Sequence, residues 1–123
     1  MANANEQLVE EFCAAWKARD VDAILGFFTE DAVYHNIPIA PARGLDEIRG
    51  VVEMFVPPAD DIEFVIHTIA SSGDLVFTER TDRFVMGAKT IELPVAGAFE
   101  IRDGKIAAWR DYFDMQTFVS QSA

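Results

Sequence analysis

The sequence has little that could cross-link the chain or place it in a membrane. Cys13 is the only cysteine among 123 residues, which excludes an internal disulfide and a zinc site of the usual thiolate kind. No run approaches the roughly 18 apolar residues of a membrane span, and the first residues lack the basic and apolar regions of a secretory leader. We therefore expect no membrane partner and a cytoplasmic location.

Basic residues are also scarce. Ten Lys and Arg stand against 21 Asp and Glu, which gives a formal net charge of -11. Because such a charge repels phosphate backbones, nucleic acid is not an expected partner. Half of the residues are hydrophobic and 25% are charged, a balance typical of a globular domain. At this length we expect residues 1–123 to form a single domain.

The short motifs of common cofactor and nucleophile sites are absent from the sequence. It contains no Gly-rich dinucleotide or phosphate loop, no zinc-protease helix motif, no nucleophile elbow and no EF-hand loop. His35 and His67 lie far apart, without other ligands at metal-binding spacing. We expect neither a metal nor a cofactor.

Hydrophobic periodicity predicts helices in the first half of the chain. Apolar residues at helical spacing predict an amphipathic helix over residues 5–19. Asp20 suits the N-cap of a short second helix, and residues 32–37 are predicted to form a strand. Gly44 opens a third predicted helix, which ends at two consecutive prolines.

From residue 61 onward the apolar period changes from near 3.6 to near 2. The pattern predicts an antiparallel meander of four strands, over residues 61–70, 74–86, 89–102 and 105–114. Helices followed by hairpins predict an α+β domain, in which a strongly curved sheet packs its concave face against the early helices and leaves a deep pocket. Residues 116–123 are expected to add one last helical turn.

Charged residues on strand faces that should be apolar are the strongest sign of a site. Alternation along residues 74–86 puts Arg80 and Asp82 on one face with Phe84. On the last strand, Asp111 falls between two aromatic residues, which predicts a buried carboxylate.

Two further strand residues are predicted to face the same cavity. One side of the first strand carries Ala32, Tyr34 and Asn36, so the Tyr34 hydroxyl and the Asn36 amide are expected to point to the same side. The alternation that turns Asp111 inward also assigns Ala107 to the inward face.

A buried arginine with carboxylate partners has two interpretations. Such a set must be mutually paired, and on alternation alone it is more often architecture than catalysis. Two carboxylates around one arginine nevertheless favour acid–base chemistry, because their pKa values should separate and leave one as acid and one as base.

Four segments occur in an order that is typical of one known family: YHNIP at 34–38, PARG at 41–44, TERTD at 78–82 and GKIAAWRDYFD at 104–114. In these segments, which extend along nearly the whole chain, the sequence resembles the limonene-1,2-epoxide hydrolases. The last segment is the most specific. The resemblance implies an NTF2-like, SnoaL-like cone, with a curved mixed sheet and helices over its mouth.

The same resemblance implies a one-step hydrolysis of an epoxide to a vicinal diol, without a covalent intermediate. Asp111 would be the general base and would hold the attacking water together with Tyr34 and Asn36. Asp82 would be the general acid that protonates the epoxide oxygen, and Arg80 would bridge the two carboxylates.

Apolar residues near these groups are expected to bind the substrate, although a core needs such residues in any case. They would suit a small terpene or cycloalkene epoxide, and they are Trp16, Phe84, Met86, Leu93, Val95, Trp109, Phe113 and Phe118. The resemblance also implies a homodimer, for which the outer sheet face with Leu75, Phe77 and Val85 is the expected interface.

Two alternatives remain open. A ketosteroid-isomerase-like enzyme would need a neutral acid in its oxyanion hole, and Arg80 opposes that neutrality. A non-catalytic small-molecule-binding module of the same fold would retain its ligand without Asp82 or Asp111.

Overall fold

Four helices and one six-stranded sheet make up residues 3–123, the part of the chain that the computed structural model describes. The helices are α1 (Ala4–Ala18), α2 (Val21–Leu25), α3 (Gly44–Phe55) and α4 (Met115–Ser122). The strands are β1 (Phe28–Asn36), β2 (Ala42–Arg43), β3 (Asp61–Ser72), β4 (Leu75–Met86), β5 (Lys89–Arg102) and β6 (Lys105–Tyr112).

The sheet has the strand order β2-β1-β6-β5-β4-β3. Its neighbours are antiparallel except β1 and β6, which are parallel. Register shifts interrupt the pairing of β3 with β4 and of β5 with β6, and such bulges bend strands. The α+β prediction with a curved, mixed sheet is confirmed.

The helices α1 and α2 begin at side chains that cap free N–H groups. The Asn3 side chain accepts a hydrogen bond from the backbone of Glu6, and the Asp20 side chain accepts one from Ala23, as the sequence predicts. α1 packs its apolar stripe against the sheet, and the ring of Phe12 meets that of Trp109 edge to face, with centroids 4.9 Å apart.

The structure differs from the predicted elements at three places, of which the strand β2 was not predicted at all. β1 starts at Phe28, four residues before the predicted start, and its register against β6 shifts between Phe28 and Val33, so simple alternation fails there. The two-residue β2 is too short to show a period. α4 forms two turns rather than one, and it contains no buried residue that would have marked it in the sequence.

The faces of the central strands follow the prediction with one exception. β4 buries Val76, Thr78, Arg80, Asp82 and Phe84 on one face. In β6 the bulge shifts the alternation by one residue, so Ile106 is fully buried where Ala107 was expected. Within residues 3–123, no helix has the length and apolar character needed to cross a membrane.

Candidate active site

One row of paired residues crosses four adjacent strands and includes part of the site. Thr78 on β4 pairs with Gly97 on β5, Gly97 pairs with Asp111 on β6, and Asp111 pairs with Asn36 on β1. Because neighbouring strands lie about 4.8 Å apart, these residues stand side by side on the inner face of the sheet.

Arg80 connects β4 to β6 across the intervening β5. Its Nε and Nη2 atoms donate to the two carboxylate oxygens of Asp82, each at 2.9 Å, and Nη2 also donates to Oδ2 of Asp111 at 2.8 Å. The remaining Nη1 donates to Oγ1 of Thr78 at 3.0 Å. The Arg80 side chain has no exposed surface. The predicted convergence of one arginine and two carboxylates is therefore present in the structure.

A stack of aromatic rings supports the site from one side. Trp109 lies parallel to Tyr34, with centroids 4.1 Å apart, and its other neighbour in the stack is Phe99 at 5.5 Å. The indole Nε1 of Trp109 donates to Oδ1 of Asp111 at 2.6 Å. The Tyr34 hydroxyl donates to Oδ1 of Asn36 at 3.2 Å, so the predicted hydroxyl and amide do meet.

Burial raises the pKa values of both carboxyl groups. For Asp111 desolvation is the largest cause; the positive charge of Arg80 lowers the pKa, the Asp82 charge raises it, and it stands at about 6. Desolvation likewise raises the pKa of Asp82 against the opposing effect of Arg80. Desolvation would lower the pKa of Arg80, but the two carboxylates hold it well above its usual value. The set holds one permanent cation and two groups that share proton uptake.

A cavity of about 550 Å³, its open mouth included, leads from the surface to these groups. Asp82, Asp111, Tyr34 and Asn36 supply its polar lining, and the rest is apolar. Ligand sites of this kind combine a mostly apolar wall with a few convergent polar groups. Arg80 is not part of the lining and lies behind the two carboxylates.

Six of the eight residues predicted to bind substrate line this cavity: Trp16, Phe84, Leu93, Val95, Phe113 and Phe118. Trp109 does not, because it is fully buried in the aromatic stack. Met86 does not either; it lies at the end of β4 and packs against the core.

Sequence reasoning missed four apolar lining residues: Ile39, Phe55, Phe64 and Met115. Phe55 is an apolar residue at the end of α3 and Phe64 an apolar residue of β3, so the sequence offers a signal for both. Ile39 lies in the turn after β1, where no period indicates which way a side chain points, and Met115 is the first residue of α4, before that helix has completed a turn. His35 is not in the lining, and its Nε2 lies 2.9 Å from the Ile39 carbonyl oxygen. Residues 3–123 contain no cluster of three His, Cys, Asp or Glu that could hold a metal.

Comparison with known proteins identifies the family. The model of the limonene-1,2-epoxide hydrolase catalytic domain matches residues 3–123. The chain belongs to the limonene-1,2-epoxide hydrolase family. It is 35% identical over 114 residues to epoxide hydrolase EphG of Mycobacterium tuberculosis, a match that covers 87% of this chain and 71% of that protein.

Solved structures agree with membership of the limonene-1,2-epoxide hydrolase family. A structure of an M. tuberculosis epoxide hydrolase similar to that family has a TM-score of 0.85 and 31% identity, and covers 96% of this chain and 88% of its own. A putative SnoaL-like polyketide cyclase from Shewanella putrefaciens has a TM-score of 0.84 at 18% identity, covering 99% and 98%. At that identity the likeness concerns the fold alone.

Proposed function

We propose that the protein hydrolyses a small apolar epoxide, of the terpene or cycloalkene type, to a vicinal diol in one general acid–base step. The observation that carries this proposal is the pair of buried carboxylates, Asp82 and Asp111, joined by Arg80 at the end of an apolar cavity. Opening an epoxide requires a base for the attacking water and a proton for the departing oxygen, and each contributes about 10² to 10⁴ in rate. Family membership supports the same reaction.

In this proposal Asp111 is the base, and the attacking water sits between it and the residues of β1. The hydroxyl proton of Tyr34 points to Asn36, so the Tyr34 oxygen can accept a hydrogen bond from the water. The water would donate one hydrogen bond to Asp111 and one to the Tyr34 oxygen, while the Asn36 amide nitrogen donates a hydrogen bond to the water oxygen. The remaining lone pair then faces the epoxide carbon.

Asp82 is the proposed acid. It lines the cavity together with Asp111, so an epoxide between the two carboxyl groups would have water on one side and a proton donor on the other. Its pKa is raised by burial, which favours a bound proton. As the water loses a proton to Asp111, Asp82 gives one to the epoxide oxygen. Arg80 contacts both groups, so the total charge of the two carboxyl groups beside its guanidinium is the same before and after the step.

The geometry of the site fits an isomerase or a non-catalytic binding module less well than it fits a hydrolase. A ketosteroid-isomerase-like site needs an acid that keeps its proton as a hydrogen-bond donor, whereas the Arg80 contact with Asp82 stabilises the carboxylate that forms once the proton is given away. A binding module would have no need of two carboxylates at the end of an apolar cavity.

The decisive test compares the native protein with Asp111→Asn, using limonene-1,2-epoxide and cyclohexene oxide as substrates. We expect diol from the native protein and a loss of about 10² to 10⁴ in rate from the variant, because the base is removed while the shape is kept. Asp103→Asn, at an exposed turn with positive φ that asparagine tolerates, is the matched control and should retain full activity. Equal diol from native protein and Asp111→Asn would reject Asp111 as base. Absence of diol from the native protein would reject the proposed function.

A homodimer belongs to the same proposal, as does a cytoplasmic location. On the outer sheet face, Phe77 is 46% exposed and Tyr112 is 48% exposed. A shallow groove lined by Ala96, Gly97 and Ala98 separates them. Leu75 and Val85, also expected in the interface, are half-buried, so Phe77 and Tyr112 are the larger apolar contribution that a second copy would cover.

A further inference from the structure

We propose that Gly97 and Thr78 are positioning residues that hold the Arg80 guanidinium across β5, in contact with both carboxylates. Neither residue reaches the cavity lining. Their effect on catalysis rests on the proposed function, while their effect on the charged set does not.

Gly97 provides the space through which Arg80 reaches Asp111. β4 and β6 lie on opposite sides of β5, about 9 to 10 Å apart, and Gly97 occupies the β5 position directly between Thr78 and Asp111. A Cβ atom at residue 97 would lie 2.5 Å from Arg80 Nη1 and 2.7 Å from Asp111 Oδ1. Both distances are closer than real Cβ contacts allow, so any side chain here would push the guanidinium or the carboxylate away.

The need for glycine at this position is steric. The glycines with positive φ are at 44, 73, 87 and 104, and Gly97 is not among them. The backbone of residue 97 therefore suits any L-amino acid. A single methyl group at this position tests the space beside the guanidinium without straining the strand.

Thr78 fixes the end of the guanidinium that faces away from the carboxylates. Its Oγ1 accepts the hydrogen bond from Nη1 at 3.0 Å, while Nε and Nη2 bind the carboxylates. Thr78 is 4% exposed and Arg80 1%, so loss of the hydroxyl would leave a buried charged donor unpaired. The β-branched threonine has few rotamers within a strand, which holds its oxygen in place.

Displacement of Arg80 would change the proton affinity of the carboxyl groups. The Arg80 charge and its hydrogen bonds lower the pKa of both Asp82 and Asp111, so a shifted guanidinium lets both pKa values rise. Two other titratable groups face the set: Cys13 of α1 and Tyr34 of β1, whose pKa values are both raised by burial. In the described range, the cavity residues contributed by α3, α4, β3 and β5 are apolar.

The experiment follows the carboxyl titration directly, by ¹³C NMR of protein labelled at aspartate, together with the pH profile of kcat/KM for cyclohexene oxide. In Gly97→Ala we expect the Asp111 titration and the acidic limb of the profile to move up by about one pH unit, since an opposite charge within contact distance lowers a carboxyl pKa by about 1 to 3. Thr78→Val should move both in the same direction, and Thr78→Ser, which keeps the hydroxyl, should restore the native values. Gly50→Ala, where an added Cβ meets nothing within 4 Å, is the control.

The NMR titrations test the positioning role of Gly97 and Thr78, and diol formation by the native protein tests the proposed function. If folded Gly97→Ala and Thr78→Val titrate as the native protein does, the positioning inference is overturned, whatever the activity. If the NMR titrations shift but the native protein forms no diol, the inference about the charged set holds and the proposed function fails. If Gly97→Ala does not fold, the comparison of Thr78→Val with Thr78→Ser decides the question.

Discussion

At the scale of single residues, the charge of the site does not cancel when both carboxylates are ionised. Arg80 contributes one positive charge and faces two carboxylates, all of them buried. Burying a net charge is costly, and a proton taken up by either carboxyl group removes that cost. This explains why both carboxyl pKa values are raised in spite of the guanidinium.

The folded state should therefore become more stable as the pH falls from 7 to 5. The pKa of Asp111 rises from 3.8 to about 6 on folding, so its stabilising contribution is fully present below about 3.8 and is lost as the pH rises through about 6. Relative to Asp111→Asn, we expect the free energy of unfolding of the native protein to increase by about 1 kcal/mol between pH 7 and pH 5. Urea unfolding at both pH values measures this.

Asp103→Asn is the control, because Asp103 is exposed and outside the site; this variant should keep the native pH dependence. Parallel behaviour of native protein and Asp111→Asn from pH 7 to pH 5 would contradict the prediction.

At the scale of helices and strands, the sequence predicts what has a sustained period and misses what does not. α1 and β4 each bury one regular stripe, and both were predicted with nearly the observed bounds. The polar faces of β4 and β6 were found because charge interrupts an apolar stripe. Gly97 carried no such signal, since a glycine within a strand shows its role only when the neighbouring strands are in place.

α4 illustrates an element whose stability depends on few contacts. It has no buried residue, and its last turn is held to β5 by Gln121 and by Lys89, whose Nζ donates to the Ser122 carbonyl at 3.1 Å. The side chain of Gln121 accepts a hydrogen bond from the backbone N–H of Glu92 at 2.6 Å and donates one to the Glu92 carbonyl at 2.9 Å. Phe118 of this helix lines the cavity.

Gln121→Ala should loosen α4 without unfolding the sheet. Two hydrogen bonds of about 0.5–1.5 kcal/mol each are lost, so we expect backbone amide hydrogen exchange in residues 115–122 to become about tenfold faster or more. Exchange in β4 should stay unchanged. Ser120→Ala, which removes one bond within the same helix, is the control with a smaller effect. Native exchange rates in α4 of Gln121→Ala would show that other contacts hold the helix.

At the scale of the whole molecule, the formal charge of -11 disfavours contact between copies except where an apolar surface compensates for it. The outer sheet face with Phe77 and Tyr112 provides such a surface. We expect the native chain to sediment as a dimer and Phe77→Asp as a monomer, because the added charge would be buried in the interface. Sedimentation velocity at fixed concentration measures the difference.

Val119→Asp is the matched control for the dimer. Val119 is a similarly exposed apolar residue, 50% accessible, but it lies on α4 rather than on the sheet. The variant should remain dimeric. A monomeric native protein, or a Phe77→Asp variant that still dimerises, would overturn this interface.

The position of β6 has a consequence for how the chain reaches its folded state. β6 is the last of the six strands along residues 3–123, yet it lies between β1 and β5 in the middle of the sheet. Until residues 105–112 leave the ribosome, both of these strands have one open edge, a state that invites pairing with other chains. Asp111 belongs to the same segment, so the nascent protein closes its sheet and completes its pair of carboxylates at the same late stage. We expect the chain to be most prone to aggregation just before that stage.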